Sequence, residues 1–424
     1  MHDAEPFAPS EYREHLVSLA RDLGAGPRAE RVELAAAVGR VLAEDVVAPA
    51  DSPRFDNSQM DGYALNADAV GREDRFFGVG PVVPAGTDPA KEYPLGLDRA
   101  DTVCPIMTGA KLPEGTCAVV PVEKCDPPEF AALGAQVRVP RPPEGQFVRP
   151  AASDLRRGET LVSEGRTVTP QTVGALASQN VRSVEVWARP RVLICTGGEE
   201  ISQSEDLDQA QLPDANGPML EALAGHHGLE VVQRIVTGDD PHDLRNRLDD
   251  AMTRWRPDLV VTSGGISHGA FEVVRQVLEG RPRAWFGHVA QQPGGPQGCA
   301  AFAGVPVVAL PGNPVSTLVS FRLFVAPLVA QVWGAAAEPT VLAARLSADV
   351  EGVPAKTQFR RGRLAVGEDA TVSVEVVGGA GSHLLAQSVA ADCLIEVPPA
   401  SHLSGGDVVS VHPLAPHPHH EEQT

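Results

Sequence analysis

The chain has 424 residues, enough for two to four domains of ordinary size, and its 35 Lys+Arg against 55 Asp+Glu give a formal charge of −20 with His neutral. That balance disfavours a nucleic-acid or anionic-membrane surface, because both need clustered positive charge. No run of about 18 apolar residues reads as a bilayer span, and Met1-His2-Asp3-Ala4-Glu5 reads as an acidic start without a signal-peptide core. The six cysteines (Cys104, Cys117, Cys125, Cys195, Cys299, Cys393) are scattered, with no C-x-x-C pair. A zinc ribbon and a disulfide framework are therefore disfavoured, and a reducing cytoplasm is expected. Gly 41 and Pro 38 are interleaved with apolar runs and read as turns; Phe 12, Trp 4 and Tyr 3 leave the core to Val, Leu and Ala.

The first predicted element is a helix over 10–23, with Ser10 as cap, Leu16, Leu19, Ala20 and Leu23 on one face, and Gly24 as stop. A short helix near Leu34–Val38 and a strand near Val41–Val47 follow. From Ala48 to about Pro150 short Val runs (Val82-Val83, Val119-Val120, Val137–Val139) are cut by Pro and Gly, which reads as β-rich. From Arg191 to about Gly334 strands and helices alternate: strands at 191–195, 230–236, 258–262 and 305–310, helices at 216–223, 241–255, 270–278 and from Pro314 to near Trp333. That pattern predicts an α/β domain with a parallel sheet covered on both faces, its last helix kinked at Pro327. Between Pro339 and Pro413 five short strands predict a small β barrel or sandwich. Residues 414–424 read as a disordered tail, although His417, His419 and His420 there are metal-capable.

In an open α/β sheet ligands bind beyond the carboxyl ends of the strands. Four polar, Gly-bearing loops leave such ends: 196–200, 237–240, 263–269 and 311–314. Together they predict a phosphate-bearing ligand held by backbone and helix N-termini, with Gly264-Gly265 at its centre. Neither G-x-G-x-x-G nor G-x-x-x-x-G-K-[ST] occurs, which disfavours a Rossmann dinucleotide site and a P-loop. The same rim carries Glu199, Glu200, Asp214, Asp239, Asp240 and Glu272. Carboxylates beside phosphate call for a hard cation, Mg²⁺ rather than zinc, although Asp239 and Asp240 before Pro241 equally suit a helix cap. Two further stretches show no clear period: 52–64, with Phe55-Asp56-Asn57-Ser58-Gln59-Met60-Asp61-Gly62-Tyr63-Ala64, and Pro105-Ile106-Met107-Thr108-Gly109-Ala110.

With these stretches the sequence resembles the molybdopterin molybdenumtransferases of the MoeA family, related to the gephyrin E domain. The resemblance is carried by both stretches, by Thr196-Gly197-Gly198-Glu199, Asp214-Ala215-Asn216, Asp239-Asp240-Pro241 and Ser263-Gly264-Gly265-Ile266-Ser267, and by Leu310-Pro311-Gly312-Asn313-Pro314-Val315-Ser316 and Gly381-Ser382-His383. It implies an α/β and β multidomain chain: an elongated helical–β piece (1–47 and 155–188), an inserted β-rich domain (48–154), an α/β molybdopterin-binding domain with a parallel sheet (189–334), a C-terminal β barrel (335–413) and the tail. It also implies a homodimer with the cleft between subunits, a molybdopterin adenylyltransferase as partner, and no nucleic acid or membrane. The implied reaction is Mg²⁺-dependent insertion of molybdate into adenylylated molybdopterin, releasing AMP.

Carried over residue by residue, Asp61, Thr108, Asp154, Glu199, Asp239 and Glu272 are the implied catalytic groups, with Glu199, Asp239 and Glu272 as metal ligands. Gly264, Gly265, Ser267, Asp214, Asn216, Pro311, Gly312, Asn313, Arg361 and Ser382 are the implied substrate contacts. Arg361 would offer a fixed fork for an oxyanion. The chain departs from the family pattern at three places. Glu272 stands where Asp is common, Ala152-Ser153 precedes Asp154, and Gln292 and Gly295 replace two lysines. The last departure supports an alternative, a non-catalytic molybdopterin-binding or scaffold paralogue. A nucleotide-dependent adenylyltransferase is the third reading, and it leaves the first half of the chain unexplained.

Overall fold

The computed structural model describes residues 5–70, 75–198, 201–202, 209–266 and 272–414. They form two compact units, one of Met1–Glu44, Gly165–Thr169 and Ser183–Thr424, the other of Asp45–Glu164 and Pro170–Arg182.

The first unit holds a six-stranded sheet in the order Glu230–Thr237, Arg191–Gly197, Leu259–Ser263, Val305–Leu310, Pro296–Phe302, Trp285–His288. The first four strands are the expected parallel ones. The last two run antiparallel, so the sheet is mixed, not parallel throughout. Pro296–Phe302 escapes a hydrophobic reading because Pro, Gly and Ala interrupt its apolar run. Its link to Val305–Leu310 is a tight turn with Ala303 and Gly304 at φ 50° and 83°, the paired left-handed residues that a two-residue hairpin requires.

Alternation along the strands divides the core between two faces. Val192, Ile194, Val261, Val308 and Leu310 pack under helices Pro9–Asp22, Asn216–His226 and the segment from Pro314 to Trp333. Leu193, Cys195, Val260, Val307 and Ala309 pack under Pro241–Trp255 and Val273–Leu278. Ser10 is not the first helix's cap. The helix begins at Pro9, and the Glu11 carboxylate accepts the Ala8 N–H at 2.8 Å. The helix that carries Pro327 is not regular. The helix widens into a π turn at Phe321–Val325 before Ala326–Trp333, which accommodates a residue without an N–H. By length and composition, with mean hydropathy 1.6, Pro314–Trp333 could cross a membrane, but 83% of its apolar window is buried inside the protein. It is a core helix.

The C-terminal strands Leu342–Leu346, Thr357–Val366, Val372–Val376, Cys393–Val397 and Val408–Pro413 each pair with two of the others and close a five-stranded barrel. The long strand Thr357–Val366 also pairs with Gln291–Gln292, a segment of the rim.

The second unit is built on a five-stranded sheet ordered Thr116–Pro121, Gly62–Asn66, Thr102–Ile106, Arg75–Val79, Gln136–Val139. The 55–64 motif is thus not all loop: Asn57–Ser58 and Gly62–Asn66 are strands, and the latter is buried throughout. A Cβ at Gly62 would collide with the Val120 carbonyl, so the sheet needs glycine there. Val82-Val83 forms no strand beyond a single bridge, and the Val41–Val47 strand shrinks to Val46–Val47 with isolated bridges at Val41 and Leu42. The tail histidines lie outside the described residues, as do 270–271 of the helix expected at 270–278.

His227 follows the Asn216–His226 helix, with its ring 5.7 Å from Phe321. Burial, then the charges of His226 and Arg322, push its pKa down to about 4. A folded-state value below the unfolded one means stability is present above about pH 6.5 and lost as pH falls toward 4. Urea unfolding of the parent should weaken across that window by about 1–3 kcal/mol, and His227→Asn should flatten the dependence.

Candidate active site

Three glycines set the floor of the site. A Cβ on Gly264, whose φ is +95°, would stand 2.8 Å from the Gly197 carbonyl, and a Cβ on Gly312 would stand 3.2 Å from the Gly264 Cα. Three strand-end loops therefore meet backbone to backbone. The Pro311-Gly312-Asn313 turn is pinned from beneath. Thr317 Oγ1 donates to the Pro311 carbonyl at 2.7 Å, Ser263 Oγ to the same oxygen at 3.0 Å, and Asn216 Nδ2 to the Gly312 carbonyl at 2.7 Å.

Above this floor opens a cleft of about 1060 Å³, lined from all four expected loops, from 212–216, from 292–296 and from 380–383. Asp214, Asn216, Asp239, Gly264, Gly265, Glu272, Pro311, Gly312, Asn313 and Ser382 all line it. Glu199 and Ser267 lie outside the described residues.

The residues on the wall differ in what they are free to do. Asp214 is committed: it accepts from Thr196 Oγ1 at 3.0 Å, from the Gly217 N–H at 2.8 Å and from Arg234 at 3.1 Å. It orients the helix start. Asp240, not Asp239, caps the helix at Pro241, accepting the His242 N–H at 2.8 Å. That leaves Asp239, half-buried, on the cleft with Glu272. Asn216, on the cleft wall, has a buried Oδ1 without a hydrogen-bond partner. The helix at Pro314 has no side-chain cap at Asn313; Pro314 has no N–H and the Val315 N–H donates to the Ser382 carbonyl at 3.3 Å, so of the first turn only the Ser316 N–H is left for an anion.

Arg361 does not line the cleft. Its side chain is buried, and the guanidinium donates to the Leu384 and Gly379 carbonyls and to Ser388 Oγ at 3.1 Å. The fork is spent on the 379–388 segment. Gln292 does line the cleft, its Oε1 accepting from Gln358 Nε2 at 2.9 Å, whereas Gly295 does not.

Asp61, Thr108 and Asp154 belong to the second unit and are exposed there. One Asp61 oxygen accepts both the Thr108 N–H at 2.6 Å and its hydroxyl at 2.8 Å. Those two bonds hold its carboxyl below the usual range. Asp154 accepts weakly from Ser52 Oγ at 3.2 Å. The sequence reading singled out neither Thr196, Ser316 nor His383 as site residues, although all three line the cleft and stand inside the quoted motifs. The six thiols are all free. Burial pushes Cys104, Cys195 and Cys299 up to about 12, so none is poised as a nucleophile.

Such a rim on an α/β domain, joined to a C-terminal barrel and a separate β unit, matches three family models in chain order. They are the MoeA N-terminal region (domain I and II) over residues 9–179, a probable molybdopterin binding domain over 192–331, and the MoeA C-terminal region (domain IV) over 343–414. The chain belongs to the MoeA family, a transferase family of molybdenum cofactor biosynthesis. It is 37% identical to molybdopterin molybdenumtransferase 2 of Mycobacterium tuberculosis, over 87% of this chain and 90% of that one. To the molybdopterin molybdenumtransferase of Haemophilus influenzae it is 29% identical, over 91% and 94%. A solved molybdopterin biosynthesis MoeA protein of Pyrococcus horikoshii OT3 superposes with a TM-score of 0.78 at 25% identity, covering 96% of this chain and 100% of that one.

The glycine floor makes an asymmetric prediction. Gly264→Ala should cost about 1–3 kcal/mol in denaturant unfolding, from strain and the clash with Gly197. Gly295→Lys should fold as the parent does, because a Cβ there meets nothing nearer than 3.5 Å and its φ lies outside the left-handed region.

Proposed function

We propose that the chain inserts molybdate into adenylylated molybdopterin, with release of AMP, and that the rim cleft binds this substrate. The observation that carries the reading is the backbone floor at Gly197, Gly264 and Gly312 in a cleft of about 1060 Å³. That volume suits an extended ligand of two ring systems joined by phosphates, at the upper end of small-molecule pockets.

Mg²⁺ fits the donor set. Asp239 and Glu272 bring oxygen ligands to the wall. Among the described residues no group of three or more His, Cys, Asp or Glu forms a closed metal cage. Mg²⁺ does not need one, because it takes one or two carboxylates and completes its shell with water and substrate phosphates. When bound, it supplies neutralisation of phosphate charge beside these acids. The chain's own residues do the rest. The loop amides and the Ser316 N–H hold phosphate oxygens. Asn216 accepts from a ring N–H, and Ser316 and Ser382 offer hydroxyl donors.

In this reading the enzyme is a cytoplasmic homodimer, in which Asp61, Thr108 and Asp154 of one subunit complete the cleft of the other. Thr108 fixes the Asp61 carboxylate as an ionised acceptor. The deciding experiment incubates the purified chain with adenylylated molybdopterin, Mg²⁺ and molybdate, and measures AMP release and reconstitution of a molybdoenzyme. Turnover supports the transferase. Tight substrate binding without AMP release supports the non-catalytic paralogue, the reading that Gln292, on the cleft in place of a lysine, favours.

Asp239→Asn and Asp61→Asn should each lower the insertion rate on the order of 10²-fold. Their unfolding free energies should stay within about 1 kcal/mol of the parent, since both acids sit in loops. Parallel losses of rate and stability would assign them structural roles.

A further inference from the structure

The second unit carries a groove that the proposed function leaves unused. It has a volume of about 460 Å³ and lies at the end of strand Arg75–Val79, over Gly78, Gly80 and Gly134. Two of the three most exposed large apolar side chains among the described residues stand on it, Leu95 at 81% and Leu133 at 72%. Phe76, 63% exposed, adds to the same sheet face, because it and Gly78 alternate with buried Phe77 and Val79. Single exposed leucines need no explanation, but an apolar patch gathered on one groove marks a binding surface.

Both leucines are held there by turns tied to one stretch of chain, 79–81. The loop of Leu95 begins with the turn Pro89–Lys91, capped by Asp88, and the Tyr93 N–H donates to the Pro89 carbonyl at 2.8 Å. The Tyr93 hydroxyl then donates to the Pro81 carbonyl at 2.6 Å. A Cβ on Gly80 would stand 2.5 Å from that hydroxyl, so glycine is what lets the ring lie across the strand. In the turn of Leu133, the Ala135 N–H donates to the Ala132 carbonyl at 2.9 Å and the Gly134 N–H to the Val79 carbonyl at 2.8 Å. Leucines presented on turns that are already ordered cost little further backbone entropy on binding.

The groove is also acidic. Glu92 and Asp98 line it, and among the described residues neither has an ion-pair partner. Arg99, the one Lys or Arg on its wall, pairs with Asp101 at 3.3 Å.

We propose that this groove docks a segment of another protein in which apolar side chains are flanked by Lys or Arg. The inference does not depend on the chemistry assigned to the cleft. The apolar side chains enter between Leu95 and Leu133, over glycines that let a partner backbone come close, and the flanking cations meet Glu92 and Asp98. Charge argues against the other occupants. A second copy in a two-fold contact would set these acids against their own equivalents, and an anionic membrane would repel them.

The test is fluorescence anisotropy of the full chain with a fluorescein-labelled peptide of Leu and Lys, beside a control peptide with Ser in place of each Leu. The parent should bind the Leu peptide saturably and about tenfold more tightly than the control. Leu95→Ser and Leu133→Ser, at exposed turn tips that leave Tm unchanged, should each weaken it about tenfold. Glu92→Lys combined with Asp98→Lys should weaken binding and remove most of its salt dependence. Binding that is equal for the two peptides, or that survives both leucine substitutions, is general attraction to an acidic chain and overturns the proposal, as does the absence of binding. Self-association in sedimentation that Leu95→Ser abolishes would give the groove to a second copy. Co-sedimentation with phosphatidylcholine vesicles that Leu95→Ser abolishes would give it to lipid. Either result overturns the proposal as well.

Discussion

Everything in this site depends on three main chains meeting at van der Waals distance at the carboxyl end of a parallel sheet. Gly197, Gly264 and Gly312 leave the ends of adjacent strands, and a Cβ on either of the latter two would push the loops apart. Glycine is required at Gly264 for a second reason, its left-handed φ of +95°. The approach lets amides, not side chains, form the floor, and parallel strand order points every one of those loops the same way. The buried hydroxyls of Ser263 and Thr317 hold the Pro311 carbonyl from below, so the turn that starts the core helix is fixed by bonds that solvent does not reach.

A backbone floor has consequences for charge. Amides and helix starts carry only partial positive charge. Among the described residues on the wall there is no lysine or arginine, while Asp214, Asp239 and Glu272 bring carboxylates. In the proposed function Asp239 and Glu272 serve a hard cation that substrate phosphates help to bind. Arg361, which carries a full and permanent charge, is used for architecture. Its guanidinium is buried against carbonyls of the 379–388 segment, and burial with neighbouring Arg360 lowers its pKa. The barrel thus serves the cleft at a distance, through one strand that touches both the Gln291–Gln292 edge and the segment that carries Ser382 and His383.

The parallel strands and the helices 216–226 and 241–255 were legible because apolar residues recur with clear periods between Gly-bearing turns. The rim followed from that order alone, since it needs only strand direction. Strand Pro296–Phe302 was not legible, as its Gly and Ala residues carry little hydrophobic signal and its register comes from a hairpin with Ala303 in a left-handed conformation. The π turn before Pro327 is a tertiary answer to a local defect. For Arg361 the residue type suggested a fork for an oxyanion, but which acceptors it meets depends on a loop some twenty residues further along the chain. Asp239 and Asp240 are adjacent acids that no pattern separates; only the direction of the chain entering the helix decides that Asp240 caps.

The most direct test of the account is hydrogen exchange with and without adenylylated molybdopterin and Mg²⁺. If backbone amides hold the phosphates, exchange should slow at 196–198, 263–266 and 312–316, with the sheet interior unchanged. Protection confined to the second unit, or absent from all three loops despite bound ligand, would contradict a ligand seated on the glycine floor.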